Sequence, residues 1–318
     1  MNTDELITKL FFLLDQLCHK IVIKDFVGFM NWDNTLGTAL LPYTGHHAPF
    51  CAAVKQNARA YAKCVRCSHV HQYDCTKFKE AFVIPCFLGL SEYSVPILID
   101  DQCIGSISAG LWCTDPDTSE RKIRALAEQF DMDRELLLHL FSELPTEPAF
   151  SLQNRSVVDF IAVLLAELFR PFVHHTQSAS SKKPDIDKGF HTILTYIRNN
   201  YTDPGISVSS IAKACNYSRS FVSHTFSRYM KMNLRTYINQ MRVILAKHEL
   251  QSGSSVALTA MVCGFSDANY FTTIFRQVVG VSASQYARNT NRRERYPLQS
   301  DSRKTCALPD AADGSGKG

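Results

Sequence analysis

The strongest constraint in this sequence is an internal repeat. Ile211-Ala212, then three residues, then Asn216-Tyr217-Ser218 is matched 48 positions on (211 to 259) by Thr259-Ala260, three residues, then Gly264-Phe265-Ser266. An aromatic follows in each copy, at Phe226 and at Phe275. Each copy predicts a short helix with a small residue (Ala212, Ala260) where two helices must touch, then a turn, then a second helix. That is the helix-turn-helix plan.

The second helices carry two faces. In the first copy Val222, Phe226 and Tyr229 form an apolar stripe, and Ser220, Ser223, His224 and Ser227 form a polar one. In the second, Phe271, Ile274, Phe275 and Val278 oppose Asn269, Thr272, Thr273 and Arg276. Any amphipathic helix has a solvated outer face. A repeat of such helices with hydrogen-bonding faces is what groove reading needs. Between the copies, Leu234–Gln251 reads as a helix with Ile238, Met241 and Leu245 on one face. Such a helix spans roughly 27 Å. Successive major grooves lie roughly 34 Å apart, so the two units are expected to enter adjacent grooves of one duplex face.

Charge agrees. Of the net +4 over 318 residues, the segment 187–295 carries 14 Lys/Arg against 5 Asp/Glu, and 1–186 carries 17 against 22. A basic module joined to a mildly acidic one implies a polyanion partner for the basic half alone.

Residues about 190–288 resemble the DNA-binding domain of the AraC/XylS family. The resemblance rests on Tyr237-Ile238, Arg242, Ala246 and Gly264-Phe265-Ser266-Asp267-x2-Tyr270-Phe271-x3-Phe275-Arg276-x3-Gly280-x5-Tyr286. It implies an all-α seven-helix domain with two helix-turn-helix units. Arg219, Ser220, Ser223 and His224 of the first unit, and Asn269, Thr272 and Thr273 of the second, would then face DNA. Arg228, Lys231 and Arg276 are expected to touch phosphates, which position without specifying. Ala283, Ala287 and Thr259 depart from the usual Pro, Arg and Ile. Thr259 predicts a weaker second unit, because it puts a hydroxyl where a core methyl would sit.

The N-terminal half reads as α+β. Leu6, Leu10, Leu13, Leu14 and Leu17 recur at helical spacing, and Ala52–Phe78 reads mostly helical. Short apolar runs follow at 82–84, 94–99 and 103–111, with Asp100-Asp101 placed as a tight hairpin turn. Helices are expected at Ser119–Phe130, Arg134–Phe141 and Leu152–Val173. The last carries a stripe of Val157, Ile161, Leu164, Leu168 and Phe172, which suits either dimerisation or packing on its own domain. The resulting division is 1–176, a linker at 177–186, 187–290, and a tail at 291–318 expected to be disordered.

Seven cysteines lie between Cys51 and Cys113, including Cys64-x2-Cys67, with His46, His47, His69 and His71 nearby. No second Cys-x2-Cys closes a zinc site, so neither metal nor other cofactor is expected, and buried reduced thiols are the plainer reading. The segment from Phe50 to Trp112 resembles the PocR sensory domain, through Phe50-Cys51, Cys64-x2-Cys67-Ser68, Cys86-x2-Gly89-Leu90-x4-Val95-Pro96-Ile97, Ile104-Gly105 and Gly110. Phe87 stands where that family commonly has His. The resemblance implies a PAS-like pocket for a small organic molecule such as a short diol. Cys51, Cys64, Cys86, Tyr93 and Trp112 are the candidate lining. Gly105 and Gly110 mark either a close approach of backbone to a ligand or a bulge.

The expected function is a sequence-specific transcription regulator controlled by a small-molecule inducer. The alternatives are a metal- or thiol-redox sensor using the Cys51–Cys86 cluster, and a self-alkylating DNA repair regulator, whose two close Cys pairs this chain lacks. No arrangement of catalytic residues stands out. Expected partners are an operator in double-stranded DNA, the inducer, a second copy of the chain and, for an activator, RNA polymerase. No apolar run approaches the roughly 18 residues that span a bilayer, and the first residues lack a secretory pattern, so a cytoplasmic location is expected.

Overall fold

The structure, a computed structural model, describes residues 3–17, 20–146, 152–179 and 185–295. Of the expected disordered tail at 291–318, residues 291–295 instead continue the last helix, and the rest, with part of the expected linker, lies outside the described residues. In chain order the N-terminal half comprises α1 (Thr3–Leu17), β1 (Ile21–Asp25), α2 (Asn34–Leu40), α3 (Pro49–Lys55), α4 (Ala58–Phe78), β2 (Phe82–Pro85), β3 (Leu90–Ile99), β4 (Gln102–Cys113), α5 (Pro116–Phe130), α6 (Arg134–Ser142) and α7 (Leu152–Ala179). Then come α8 (Asp185–Asn200), α9 (Val208–Cys215), α10 (Arg219–Met230), α11 (Leu234–Gln251), α12 (Val256–Val262), α13 (Ala268–Val279) and α14 (Ala283–Arg295). α7 runs on to Ala179 and α8 starts at Asp185, both inside the expected linker.

The four strands form an antiparallel sheet in the order β1-β4-β3-β2. Asp100 and Asp101 turn the β3–β4 hairpin with φ of 49° and 65°, and Ile99 pairs with Gln102. Two consecutive left-handed residues are the mark of the type I′ turn, whose twist matches that of the strands. β1 adds to the expected runs. Alone, Ile-Val-Ile-Lys-Asp is too short to declare itself, and it is a strand because it pairs with β4 from Ile21↔Ala109 to Asp25↔Gly105. Gly105 serves that pairing rather than a ligand, since a Cβ there would lie 2.4 Å from the Lys24 carbonyl oxygen.

Gly110 marks a bulge. Tyr93 pairs with Ala109 and Ser91 with Trp112, so Gly110 and Leu111 together oppose Glu92. Gly110 has φ of 76°, the left-handed conformation this type of bulge requires. The extra residue switches the alternation of β4. Ala109 and Trp112 therefore share one face of the sheet with Tyr93, and Leu111 shares the other with Glu92.

The first face packs on α1 and α7. Tyr93, Val95, Ile97, Ile107 and Trp112 meet Val158, Ile161, Leu165 and Phe169. The buried stripe of α7 is thus rotated about one position from the expected one, leaving Val157, Leu168 and Phe172 partly buried. The opposite side of α7 exposes Phe160 at 65% and Val163 at 60%. On the second face α3, α5 and α6 enclose Phe50, Val54, Leu88, Leu90, Ile123, Leu126 and Phe141.

The helical half has its own core of Ile193, Ile197, Ile211, Val222, Phe226, Met241, Leu245, Phe265, Phe271 and Phe275. Two side chains from the N-terminal half, Leu41 and Ala52, belong to it. The expected apolar stripes need two amendments. Tyr229 is partly exposed and stacks flat on Phe190, with ring centroids 4.4 Å apart, and Val278 is exposed at 47%. Each lies at the outer end of its helix, past the neighbour that covers the preceding turn.

α8 joins the halves. Arg198 donates to the carbonyl of Met30, Asn199 Nδ2 to that of Asp25 at 2.8 Å, and Tyr201 OH to that of Leu41 at 3.1 Å. Lys20 sits between Asp15 and Glu249 at 3.5 and 3.6 Å, and His248 of α11 meets Phe12 and Tyr43 edge-on.

Candidate functional site

The two repeats become two helix-turn-helix units, α9–α10 and α12–α13. In the first, Asn216 ends α9 in the left-handed conformation with φ of 58°, and Ser218 caps α10 by accepting from Phe221 N at 3.1 Å. Val222 and Phe226 turn inward. Arg219, Ser220, Ser223, His224, Arg228 and Lys231 are all exposed.

In the second unit Gly264 occupies the same turn with φ of 81°, and a Cβ there would lie 2.2 Å from the Thr202 carbonyl oxygen. Asp267 caps α13 by accepting from Tyr270 N at 2.7 Å. Tyr270 OH meets Asn239 Nδ2 at 2.8 Å and Arg235 Nε at 3.1 Å, which fixes α13 on α11. Arg242, one of the residues carrying the AraC-type resemblance, donates to the carbonyls of Tyr201 and Asp203 at 2.8 Å each and lies over the Phe265 ring. Its role is to tie the loop after α8 to the second unit. Asn269, Thr272, Thr273 and Arg276 are exposed. The hydroxyls of Thr272 and Thr273 donate back to their own helix at Ala268 O and Asn269 O, 3.0 Å each, so these residues offer methyl groups outward. Thr259 is fully buried, and among the described residues its hydroxyl has no hydrogen-bond partner.

The second site is a cavity of about 420 Å3 between α3, α4, the second face of the sheet, and α8–α9. Its apolar wall includes Phe50, Val54, Cys64, Cys86, Phe87 and Leu111. Thr195, Tyr196 and Asn199 of α8 and Cys215 of α9 complete it from the helical half. Tyr61 OH donates to Asn200 Oδ1 at 3.1 Å, closing α4 against α8.

A buried polar cluster centres on Glu92. His46 Nε2 lies 2.9 Å from Glu92 Oε2, and Lys24 Nζ lies 3.4 Å from Oε1. The Lys24 ammonium also donates to His71 Nδ1 at 2.5 Å, and His71 Nε2 lies 2.6 Å from Ser94 Oγ. An ammonium has only protons to give, so His71 is neutral with its proton on Nε2. Burial and the Lys24 charge push its pKa down to about 3. Burial alone would raise the Glu92 carboxyl, but Lys24 and His46 outweigh it and hold that carboxyl well below the usual range. Burial pushes Cys64 up to about 11 and Cys51 higher still, so both are thiols at neutral pH. Such thiols are slow nucleophiles and weak metal ligands. Among the described residues, no group of three or more His, Cys, Asp and Glu is placed to hold a metal ion.

Of the expected lining, Cys51, Cys64 and Cys86 lie on the cavity. Tyr93 and Trp112 do not. They occupy the opposite face of the sheet, where Tyr93 OH donates to Asp159 of α7 at 2.8 Å and Trp112 is buried in the core. The reason is the alternation of β3 and the bulge at Gly110. The groups missed are Glu92, Lys24 and Lys55. A charged residue inside the apolar strands 21–25 and 90–99 was the available signal for the first two.

Comparison with known proteins matches two separate segments of the chain. A family described as "Sensory domain found in PocR" matches residues 35–168, and one described as "Helix-turn-helix domain" matches residues 211–289. The regulatory protein PocR of Salmonella typhimurium is 23% identical over 261 residues, 78% of this chain and 85% of that protein. The HTH-type transcriptional activator RhaS of Pectobacterium carotovorum is 30% identical over 103 residues, 32% of this chain and 35% of that protein. A solved transcriptional regulator with an AraC-type DNA-binding domain from Chromobacterium violaceum is 20% identical, covering 33% of this chain and 93% of its own, with a TM-score of 0.31. Among the described residues no helix is long and apolar enough to cross a membrane. The chain thus carries a PocR-type sensory domain followed by an AraC-type helix-turn-helix domain.

Proposed function

We propose that this chain binds a specific operator through α10 and α13 and that a small organic molecule in the cavity controls that binding. The observation that carries the control is the composition of the cavity wall. Residues 1–176 form the sensory unit, which we read as PAS-like, and 187–290 the DNA-binding unit. One cavity is lined by both. An occupant therefore touches α8 directly, and an occupant that fits one arrangement of α8 better than another shifts the equilibrium by that difference alone. Asn269 is the leading base reader, because an amide pairs bidentately with adenine. Arg219, Ser220, Ser223, His224, Thr272 and Thr273 supplement it, and Arg228, Lys231 and Arg276 supply phosphate contacts.

Elevated thiol pKa values in the Cys51–Cys86 cluster speak against oxidative sensing. The exposed Phe160 and Val163 on α7 are the surface through which two copies would pair. A positively acting regulator would add RNA polymerase as a partner, and the site of action would be the cytoplasm. The test is operator selection from random duplexes with the full chain, then binding of the selected duplex with and without a panel of small organic compounds. A selected site with two half-sites about one helical turn apart is expected, and a five-base-pair insertion between them should abolish two-unit binding. Unchanged affinity after that insertion would sink the two-groove reading, and indifference to every compound, with Cys64→Phe equally silent, would sink control through the cavity.

A further inference from the structure

Among the described residues Lys55 is a charged group of the cavity with no carboxylate at ion-pair distance. It ends α3 and lines the cavity, and its Nζ donates to the carbonyl of His46 at 2.7 Å. Glu92 is engaged by Lys24 and by the ring of the same His46, and Asp25 accepts from the backbone amides of Gly28, Phe29 and Met30 at 2.6, 2.9 and 3.1 Å. Asp203 acts on Lys55 only at longer range, and burial lowers the lysine's pKa. Among the described residues the His46 carbonyl is its hydrogen-bond acceptor, which leaves two of the three ammonium protons of this half-buried lysine for an acceptor within the cavity.

We propose that the cavity takes a small organic acid, whose carboxylate pairs with Lys55 and whose carbon skeleton lies against Phe50, Cys64, Cys86 and Leu111. His46 stands between Lys55 and Glu92, touching one through its carbonyl and the other through its ring. Glu92, held by Lys24 and His46, can also accept from a hydroxyl of the occupant, so the acid fits bare or hydroxylated. The volume of about 420 Å3 admits such a molecule and leaves room for a longer carbon skeleton or for water.

Helix α3 passes the pairing on. Its Lys55 and Cys51 face the cavity, its Ala52 is packed in the helical core, and Gln56 just beyond it donates to the carbonyl of Met261 in α12 at 3.4 Å. An anion drawn to Lys55 therefore acts on the element that touches the second helix-turn-helix unit. This rests on the cavity being the regulatory site proposed above.

The test is calorimetric and thermal-shift titration of the full chain with propionate and lactate, with propionamide and propane-1,2-diol as neutral counterparts, and with inorganic phosphate, at matched ionic strength. The acids are expected to bind saturably, at least about tenfold tighter than their neutral counterparts. Lys55→Met should remove that preference while leaving neutral binding and the circular-dichroism spectrum unchanged, and Lys55→Arg should restore part of it. Equal binding of acid and neutral counterpart, or acid binding that survives Lys55→Met, overturns the proposal. Phosphate binding as tightly as the acids overturns the carbon-skeleton part of it. If neutral compounds bind, are blocked by Cys64→Phe and outcompete the acids, only the acid proposal falls. If neither series binds, the cavity reading falls with it.

Discussion

The two helix-turn-helix units descend from one local pattern and meet different neighbours. In the first, the turn after α9 faces water, and Asn216 adopts the left-handed conformation there with its side chain exposed. In the second, the equivalent turn presses against the carbonyl of Thr202, and only Gly264 fits. The inward position that holds Ile211 in the first unit holds Thr259 in the second, where a hydroxyl is buried without a partner among the described residues. α9 ends at the cavity mouth, while α12 packs against α3. Residue choice at equivalent positions of a repeat thus follows what lies across from each copy.

That contrast can be broken or sharpened by substitution. Gly264→Ala carries the largest expected effect, a loss of about 3 kcal/mol or more, because left-handed strain adds to a backbone clash. Urea denaturation of the full chain measures it, and a loss below about 1 kcal/mol would mean the turn is not held against Thr202. Next comes base reading. Asn269→Ala should cost about 1–3 kcal/mol on the selected operator and much less on random DNA. Arg276→Ala should weaken both alike and reduce the salt slope by about one. Equal losses for Asn269→Ala on both DNAs would remove it from readout. Thr259→Val, which keeps the shape and deletes the orphan hydroxyl, should stabilise by about 1 kcal/mol, and a destabilisation would reveal a partner for that hydroxyl. The smallest effect belongs to Asn216→Gly, within about 0.5 kcal/mol, since the turn is open there. A large change would show that the two turns are constrained alike.

The helical half was the more legible in sequence because its signals are local. Helical periodicity, capping residues and the repeat all lie within a few residues of the elements they specify, and Leu234–Gln251 coincides with α11. The cavity was legible only in part. Cys51, Cys64 and Cys86 sit where expected, yet Tyr93 and Trp112 point away, because the facing of a strand depends on pairing and on a bulge formed with a distant partner. Glu92, Lys24 and Lys55 come together from three elements far apart in the chain, and no local spacing announces such a meeting. The buried stripe of α7 differs from the expected one by about one position for a similar reason. Leu164 and Leu168 match a helical period as well as Leu165 and Phe169 do, and only the sheet beneath decides which pair is buried.

Part of the joint between the halves is made to main-chain oxygen. Arg198, Asn199 and Tyr201 at the end of α8 address the carbonyls of Met30, Asp25 and Leu41, and each of these bonds depends on the path of the loop and not on the side chains it bears. Drift in an exposed side chain of this segment such as Val27 leaves these three bonds in place, provided the backbone keeps the course that the Asp25 carboxylate fixes through the amides of Gly28, Phe29 and Met30. The end of α8 thus reads backbone course rather than residue identity, while the Lys20–Glu249 and Tyr61–Asn200 contacts tie this sensory unit to this DNA-binding unit by side-chain chemistry.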